Sequence, residues 1–225
     1  MTRIIAGFAG SLTLQVPRIG TRPTSDRVRE AIFSALSARG LIEGARVLDL
    51  YAGSGALGLE AVSRGASRVM LVEKSHAAVQ VCKRNAELVR ARARGDEPDV
   101  TVSGKPVQSF LTSTAGSSAH RYDLVLVDPP YELGGLELDH VLSALVPHLA
   151  EDAVVVLERS SRCPVPEWPE GLALDRRSDY GETAVFWLDA TAGADGAGAE
   201  AEAGAEAASG GDAAAGSSGS AASGA

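Results

Sequence analysis

Cysteine is scarce in this chain: Cys82 and Cys163 are the only two among 225 residues. They lie far apart without a paired spacing, which argues against a disulfide framework or a cysteine-based zinc site and fits a reducing, cytoplasmic setting. The four histidines (76, 120, 140, 148) lack metal-ligand spacing, so no metal is expected. No apolar run approaches the roughly 20 residues that a membrane span requires. The apolar stretch after Arg3 is broken by Gly7, Gly10 and Ser11, and no small-residue cleavage site follows, so a secretory leader is not expected. A G-x-S-x-G nucleophile elbow is missing too, because Ala52 stands where its first glycine would be needed.

Basic residues are absent from Ala190 to Ala225, a segment almost entirely of Ala, Gly, Ser, Asp and Glu that carries five acids and no large apolar side chain. Such a composition cannot bury enough surface to offset chain entropy, and 190–225 is expected to be a disordered acidic tail. The tail distorts the overall charge of −8. With its five acids set aside, the body is within about three charges of neutrality. The first 46 residues hold seven arginines against three acids, so the front of the chain is locally positive and could meet a phosphate backbone.

Short β-rich apolar runs recur at 46–51, 68–73, 100–103, 123–128, 153–158 and 183–188. Helical stretches at 55–64, 75–94, 107–111 and 138–149 separate the first five. This alternation predicts an α/β fold with a parallel, doubly wound sheet. The continuous apolar character of LVLV and VVVL suits strands covered on both faces. Ahead of the sheet, IIAGFAG and LTLQV could form a small hairpin, and Ser25 or Asp26 could cap a helix from Arg27 to Ala38. The expected organisation is an N-terminal hairpin and helix arm (1–45), a catalytic α/β domain (46–189) and the tail (190–225).

Two segments carry chemistry. In DLYAGSGALGLEA (49–61) a strand enters a glycine-rich turn and then a helix, with Gly53, Gly55 and Gly58 in G-x-G-x-x-G spacing. Glu73 ends the next strand, where a carboxylate can accept hydrogen bonds from ribose hydroxyls. These features alone fit either S-adenosylmethionine (AdoMet) or a dinucleotide. Asp49 favours AdoMet, because a carboxylate beside the bound cofactor suits the ammonium of a methionine moiety and suits a pyrophosphate poorly. The second segment is Asp128-Pro129-Pro130-Tyr131, directly after the strand DLVLV. The two prolines stiffen the loop and leave its carbonyls free. Asp128 and the Pro129 carbonyl can accept from one exocyclic base amine while Tyr131 stacks on the ring. Alignment of this kind needs neither a metal nor a covalent nucleophile. In a doubly wound sheet the first and fourth strands meet where strand order reverses, so both loops should open into one crevice.

These residues, together with RIIAG near the start, TRPTSDRVREAIF (21–33), AGSGALGLEA and VEK (72–74), resemble the bacterial 16S ribosomal RNA guanine-N2-methyltransferase family of the small-subunit enzyme D type. The resemblance covers residues 2 to about 188. It implies a class I AdoMet-dependent Rossmann-like fold and methyl transfer to the exocyclic N2 amine of a guanine in 16S rRNA. It also implies small-subunit (30S) particles as the partner of a monomeric enzyme. It implies a cofactor site made of Asp49, Ala52, Gly53, Ser54, Gly55, Gly58, Glu73 and Lys74. The loop of Arg22, Pro23 and Thr24 should lie against the cofactor or the incoming base, with Thr24 on the cofactor. Arg22, Arg27 and Arg29 are the candidate RNA contacts, although Arg27 and Arg29 could equally form a solvated helix face. Where such enzymes often carry an Asp or Asn near the adenine, this chain has Pro106, which leaves adenine contacts to Val107 and Gln108.

Three alternatives follow from the same residues. A DNA or adenine amino-methyltransferase would use the same four-residue loop. A dinucleotide-dependent oxidoreductase would use the glycine spacing and Glu73, against the evidence of Asp49 and DPPY. A noncatalytic RNA-binding protein could retain the fold alone. Removing residues 190–225 is expected to leave thermal stability and AdoMet affinity nearly unchanged in melting and titration experiments. A large loss of either would make the tail part of the folded unit.

Overall fold

The computed structural model describes residues 2–17, 25–95, 97–130 and 132–191. Strands β1 (Thr2–Arg3) and β2 (Thr13–Leu14) pair antiparallel and are followed by helix α1 (Asp26–Ala38). Ser25 caps α1 by accepting from the Val28 amide at 3.3 Å. Then come β3 (Arg46–Leu50), α2 (Ala56–Ser63), β4 (Arg68–Val72), α3 (His76–Arg90), β5 (Asp99–Ser103), α4 (Val107–Thr114), β6 (Tyr122–Val127) and α5 (Gly135–Leu145). Long β7 (Leu149–Ser160) and the hairpin of β8 (Leu172–Tyr180) with β9 (Thr183–Ala190) complete the sheet.

The seven-stranded sheet has the order β5-β4-β3-β6-β7-β9-β8. β3, β4, β5, β6 and β7 run parallel, and β9 is antiparallel to both its neighbours. Strand order reverses between β3 and β6, as the alternating pattern led us to expect, and the carboxyl ends of both strands open at that point. Alternation along β3 sends Val47 to one face and Leu48 to the other. Val47 joins the core under α1, α2 and α3 with Ile32, Phe33, Leu59 and Val89, while Leu48 joins the core under α4 and α5 with Phe110, Leu138 and Leu142. Both faces are therefore covered, which is why the central strands read as unbroken apolar runs.

The structure corrects the sequence reading at three places. The N-terminal hairpin has only two residues in each strand, and IIAGFAG forms the connection between them. Beyond Ile4, which still exchanges backbone bonds with Ser11 and Leu12, the amides leave the ladder: Ile5 and Ala6 donate to the Glu60 carboxylate at 2.6 and 3.0 Å, while Phe8 and Ala9 donate to the carbonyl and hydroxyl of Ser63. Strand β8 was missed. It is an exposed edge strand rich in charge, and its register shifts between Leu174 and Arg176, which breaks the two-residue alternation. Finally, Ala190 and Thr191, expected in the tail, belong to the folded domain. Ala190 closes β9, and the Thr191 amide donates to the Gly171 carbonyl at 3.0 Å. A truncation that spares the sheet therefore falls after Thr191, and the rest of the expected tail lies outside the described residues.

Glu60, fully buried on α2, anchors this arm, and it also accepts from Arg64 Nε at 2.7 Å. A carboxamide would turn an NH2 toward donors that need an acceptor. Glu60→Gln is therefore expected to cost about 2–3 kcal/mol of stability in denaturant unfolding and to expose the arm to proteolysis. A variant as stable and as protease-resistant as the parent would show that the arm is held elsewhere.

Candidate active site

A cavity of about 700 Å³ opens at the carboxyl end of the sheet, where β3 and β6 part. Its floor is built by the glycine turn. Tyr51 and Gly53 adopt positive φ (63° and 57°), and Gly55, at φ 79°, begins α2. Gly58, in the first turn of α2, has no room for a side chain. An added Cβ would stand 2.3 Å from Leu71 Cδ2 and 3.1 Å from Asp49 Oδ2, and Leu71 is itself fully buried. That close approach lets the Gly58 amide donate to Asp49 Oδ2 at 2.8 Å. Glu73, at the end of β4, ties the turn to α3 by accepting from the Gly53 and Ser75 amides at 3.0 and 2.7 Å. Cys82 adds a bond to the Gly53 carbonyl at 3.2 Å. The loop is thus fixed by its own backbone before any ligand arrives.

The strand ends give the cavity its charge. Asp49, Glu73, Asp128 and Glu158, from β3, β4, β6 and β7 or the residues that follow them, all line it, and Glu132 and Glu182 stand at its wall. Asp49 is 1 % exposed, and its Oδ1 has no hydrogen-bond partner among the described residues. Burial pushes its carboxyl up to about 8 against the pull of the Gly58 amide, and the negative charges of Asp128 and Glu73 act in the same direction as burial. Burial likewise holds the Tyr51 phenol near 12, so it is neutral and can donate. A concentration of carboxylates around an orphaned, buried acceptor favours a cationic ligand and disfavours a pyrophosphate.

Of the residues singled out from the sequence, Asp49, Ala52, Gly53, Ser54, Glu73, Lys74, Asp128, Pro129, Pro130 and Arg29 line this cavity, and Gly55 and Gly58 form its supporting turn. Val107 and Gln108 are not brought to it. Val107 is packed in the core beside Phe110 and Leu111, and Gln108 is exposed on α4. Arg27 is exposed and does not line the cavity. Arg29 is 1 % exposed, which overturns the solvated-face reading for that residue. Arg22, Thr24 and Tyr131 lie outside the described residues.

Sequence reasoning missed Tyr51, Glu158, Tyr180 and Thr183 as lining residues. Glu158 carried a legible signal, since it ends the run VVVLE as Asp49, Glu73 and Asp128 end or follow theirs. Tyr180 and Thr183 flank the β8–β9 turn; Tyr180 was hidden with β8, and Thr183 begins a run that was read as a strand but not as part of the site.

This sheet order, with a glycine turn after its first parallel strand and an acidic cavity at the switch point, defines a class I AdoMet-dependent methyltransferase. The chain belongs to the family described as Conserved hypothetical protein 95, whose profile matches residues 2–189, and thus to the small-subunit rRNA methyltransferase D type. It is 34% identical over 183 residues to the Ribosomal RNA small subunit methyltransferase D of Escherichia coli K12, covering 81% of this chain and 86% of that one. It is also 30% identical over 139 residues to the tRNA1(Val) (adenine(37)-N6)-methyltransferase of Shewanella sediminis, covering 61% of this chain and 55% of that one. Among solved structures, yhhF from Escherichia coli superimposes with a TM-score of 0.70 at 33% identity, over 84% of this chain and 97% of that one. AdoMet is the cofactor.

The raised Asp49 carboxyl has a consequence for stability. Because it holds its proton more tightly in the folded than in the unfolded chain, its contribution is most favourable below the ordinary carboxylate range and is lost as pH rises toward 8. Asp49→Asn keeps an acceptor for Gly58 without the charge. In the ligand-free protein its melting temperature relative to the parent is therefore expected to rise between pH 5 and pH 8. An unchanged difference across that range would mean that Asp49 ionises freely in the folded state.

Proposed function

We propose that this enzyme methylates the exocyclic N2 amine of a guanine in 16S rRNA, acting as a cytoplasmic monomer on small-subunit particles. The observation that carries the reading is the convergence of Asp49 and Asp128 on one cavity across the β3/β6 switch point. In this reading Asp49 is the cation-binding acid and the Asp128 loop beside it holds the base. The named activity of the Escherichia coli relative supports rRNA as the substrate class.

The residues present fit AdoMet, because the unpartnered Asp49 Oδ1 offers an acceptor to an ammonium in a cavity that already favours positive charge. When bound, AdoMet supplies a methyl made electrophilic by its sulfonium, and is left as the neutral thioether once the carbon bonds to nitrogen. Asp49 would hold the methionine end, the Gly53–Gly55 turn would pack against it, and Glu73 retains lone pairs for ribose hydroxyls beyond the two amides it accepts from. Asp128 and the Pro129 carbonyl accept from the two hydrogens of the target amine. Holding both turns the nitrogen lone pair toward the methyl and draws on proximity and alignment. Asp128 is the nearest acceptor for the proton that the amine loses. The rigid Pro129-Pro130 pair fixes both acceptors.

Labelled methyl transfer to 30S particles from cells lacking this protein, followed by nucleoside analysis, is expected to yield N2-methylguanosine. Asp128→Ala should lower turnover on the order of 1,000-fold while sparing AdoMet affinity. N6-methyladenosine as the product, or transfer to naked DNA in preference to particles, would reassign the substrate. Undiminished turnover in the variant would remove Asp128 from its role.

A further inference from the structure

Beyond the cofactor and the amine-holding loop, the cavity continues along the sheet edge to β7, where Glu158 and Arg29 face it together. Glu158 is 4 % exposed and shares the sheet face of Val154 and Val156, the face against which α1 packs. Arg29, on α1, is the cationic partner of that face. Its Nη2 donates to the Arg3 carbonyl and to Asp26 Oδ1, the latter at 2.9 Å, while its Nε is buried with no hydrogen-bond partner among the described residues. Burial lowers its affinity for a proton, and the charges of Asp26, Glu60 and Glu158 offset that effect. A guanidinium buried this deeply, lining a ligand cavity with an unsatisfied donor, is more than the structural bonds to Arg3 and Asp26 require.

We propose that Glu158 and Arg29 read the Watson–Crick edge of the target base, Glu158 accepting from guanine N1–H and Arg29 donating to O6. The inference rests on the guanine-N2 reading above. Guanine presents N2–H, N1–H and O6 in a row along that edge: two donor groups, then an acceptor. Asp128 at the end of β6 takes the first. The neighbouring strand β7 lies about 4.8 Å further along the sheet, a step comparable to the length of that row, and carries Glu158, while α1 brings Arg29 to the same cavity, a carboxylate and a guanidinium of the polarity that the remaining two groups demand. Adenine offers an unprotonated N1 and an amine at position 6, so both groups would meet it with the wrong polarity. A base extruded into a pocket is commonly read at this edge, and a site built to hydrogen-bond one pattern rejects its inverse strongly. Position along the sheet separates this pair from the cofactor, because β7 is two strands away from β3 with β6 between them.

The test uses 30S particles reconstituted with 16S rRNA in which the guanine identified by nucleoside analysis is replaced by 2,6-diaminopurine. This base keeps the N2 amine but has an unprotonated N1 and an amine in place of O6. The parent enzyme is expected to prefer guanine on the order of 100-fold in kcat/KM. Glu158→Gln, whose amide can donate to N1, should reduce that preference at least tenfold with AdoMet affinity unchanged, a change in ratio that a merely structural role would not produce. Arg29→Lys, which loses the planar fork, should lower the preference in the same direction. Equal use of the two bases by the parent overturns the proposal without recourse to any variant. So does a Glu158→Gln enzyme with the parent's preference, or an Arg29→Lys enzyme that loses AdoMet affinity and keeps the preference. If guanine particles themselves yield no N2-methylguanosine, the substrate reading fails and this inference falls with it.

Discussion

The bond from the Gly58 amide to Asp49 Oδ2 is the contact on which the site depends. It requires a helix whose first turn comes within a hydrogen bond of a strand-end carboxylate, and only a glycine leaves the space between Leu71 and Asp49 for that approach. In an exposed helix a glycine costs about 1 kcal/mol relative to alanine. Here an alanine would have to displace a buried leucine, so the usual preference is reversed. With one oxygen held by the backbone, the other is aimed into the cavity at a fixed position. Everything the glycine turn does elsewhere, including the positive φ at Tyr51, Gly53 and Gly55, serves to bring the chain from β3 into α2 without moving that carboxylate.

A second constraint follows from sheet order. Parallel strands deliver their carboxyl ends to one edge, and in this chain acids stand at or just after the ends of four adjacent strands. Their mutual repulsion is an electrostatic cost that the isolated fold does not need. Burial is the main reason the Asp49 carboxyl is raised, and the charges of Asp128 and Glu73 add to it. Such a cost is consistent with a cavity shaped for a ligand that brings its own positive charge and for bases that bring hydrogen-bond donors. Arg29 of α1 lines the same cavity and is held by Asp26 and the Arg3 carbonyl, so the N-terminal arm is coupled to the cavity through this guanidinium. Glu60 fastens the arm to α2 from the other side.

How much of this was legible in the sequence depends on which physical signal carried each part. Strands β3, β4, β6, β7 and β9 were readable because burial makes them near-continuous apolar runs, while β5, at the sheet edge, was readable from the alternation of VTVS. The glycine turn and DPPY were readable because backbone geometry there restricts residue type. Strand β8 obeys neither rule. Its register shift at Asp175 breaks alternation, and its arginines lie over aromatic rings of β9, with Arg176 4.7 Å from the Trp187 ring and Arg177 5.3 Å from that of Phe186. Arginine used in that way covers apolar surface while it reads as a solvated charge. Arg29 was ambiguous for a related reason, since a basic residue on a helix looks the same in sequence whether it faces water or a buried acid.

The same reasoning explains why Val107 and Gln108 failed to reach the cavity while Glu158 did. The first pair was inferred from position relative to a family pattern, at a place where Pro106 already departs from it. The backbone before Pro106 must leave the helical region, so α4 starts immediately afterwards and turns Val107 into the core. Glu158 needed no such analogy. A glutamate closing an apolar strand in a parallel sheet has one place to go, the carboxyl-end crevice, and that is where Asp49 and Glu73 also sit. Strand-end acids counted across the whole sheet therefore carry more information about this site than the motif loops alone, because sheet order converts their positions into a linear array of acceptors. The array runs from Glu73 after β4 and Asp49 on β3, past Asp128 after β6, to Glu158 on β7, with Arg29 of α1 lining the same cavity.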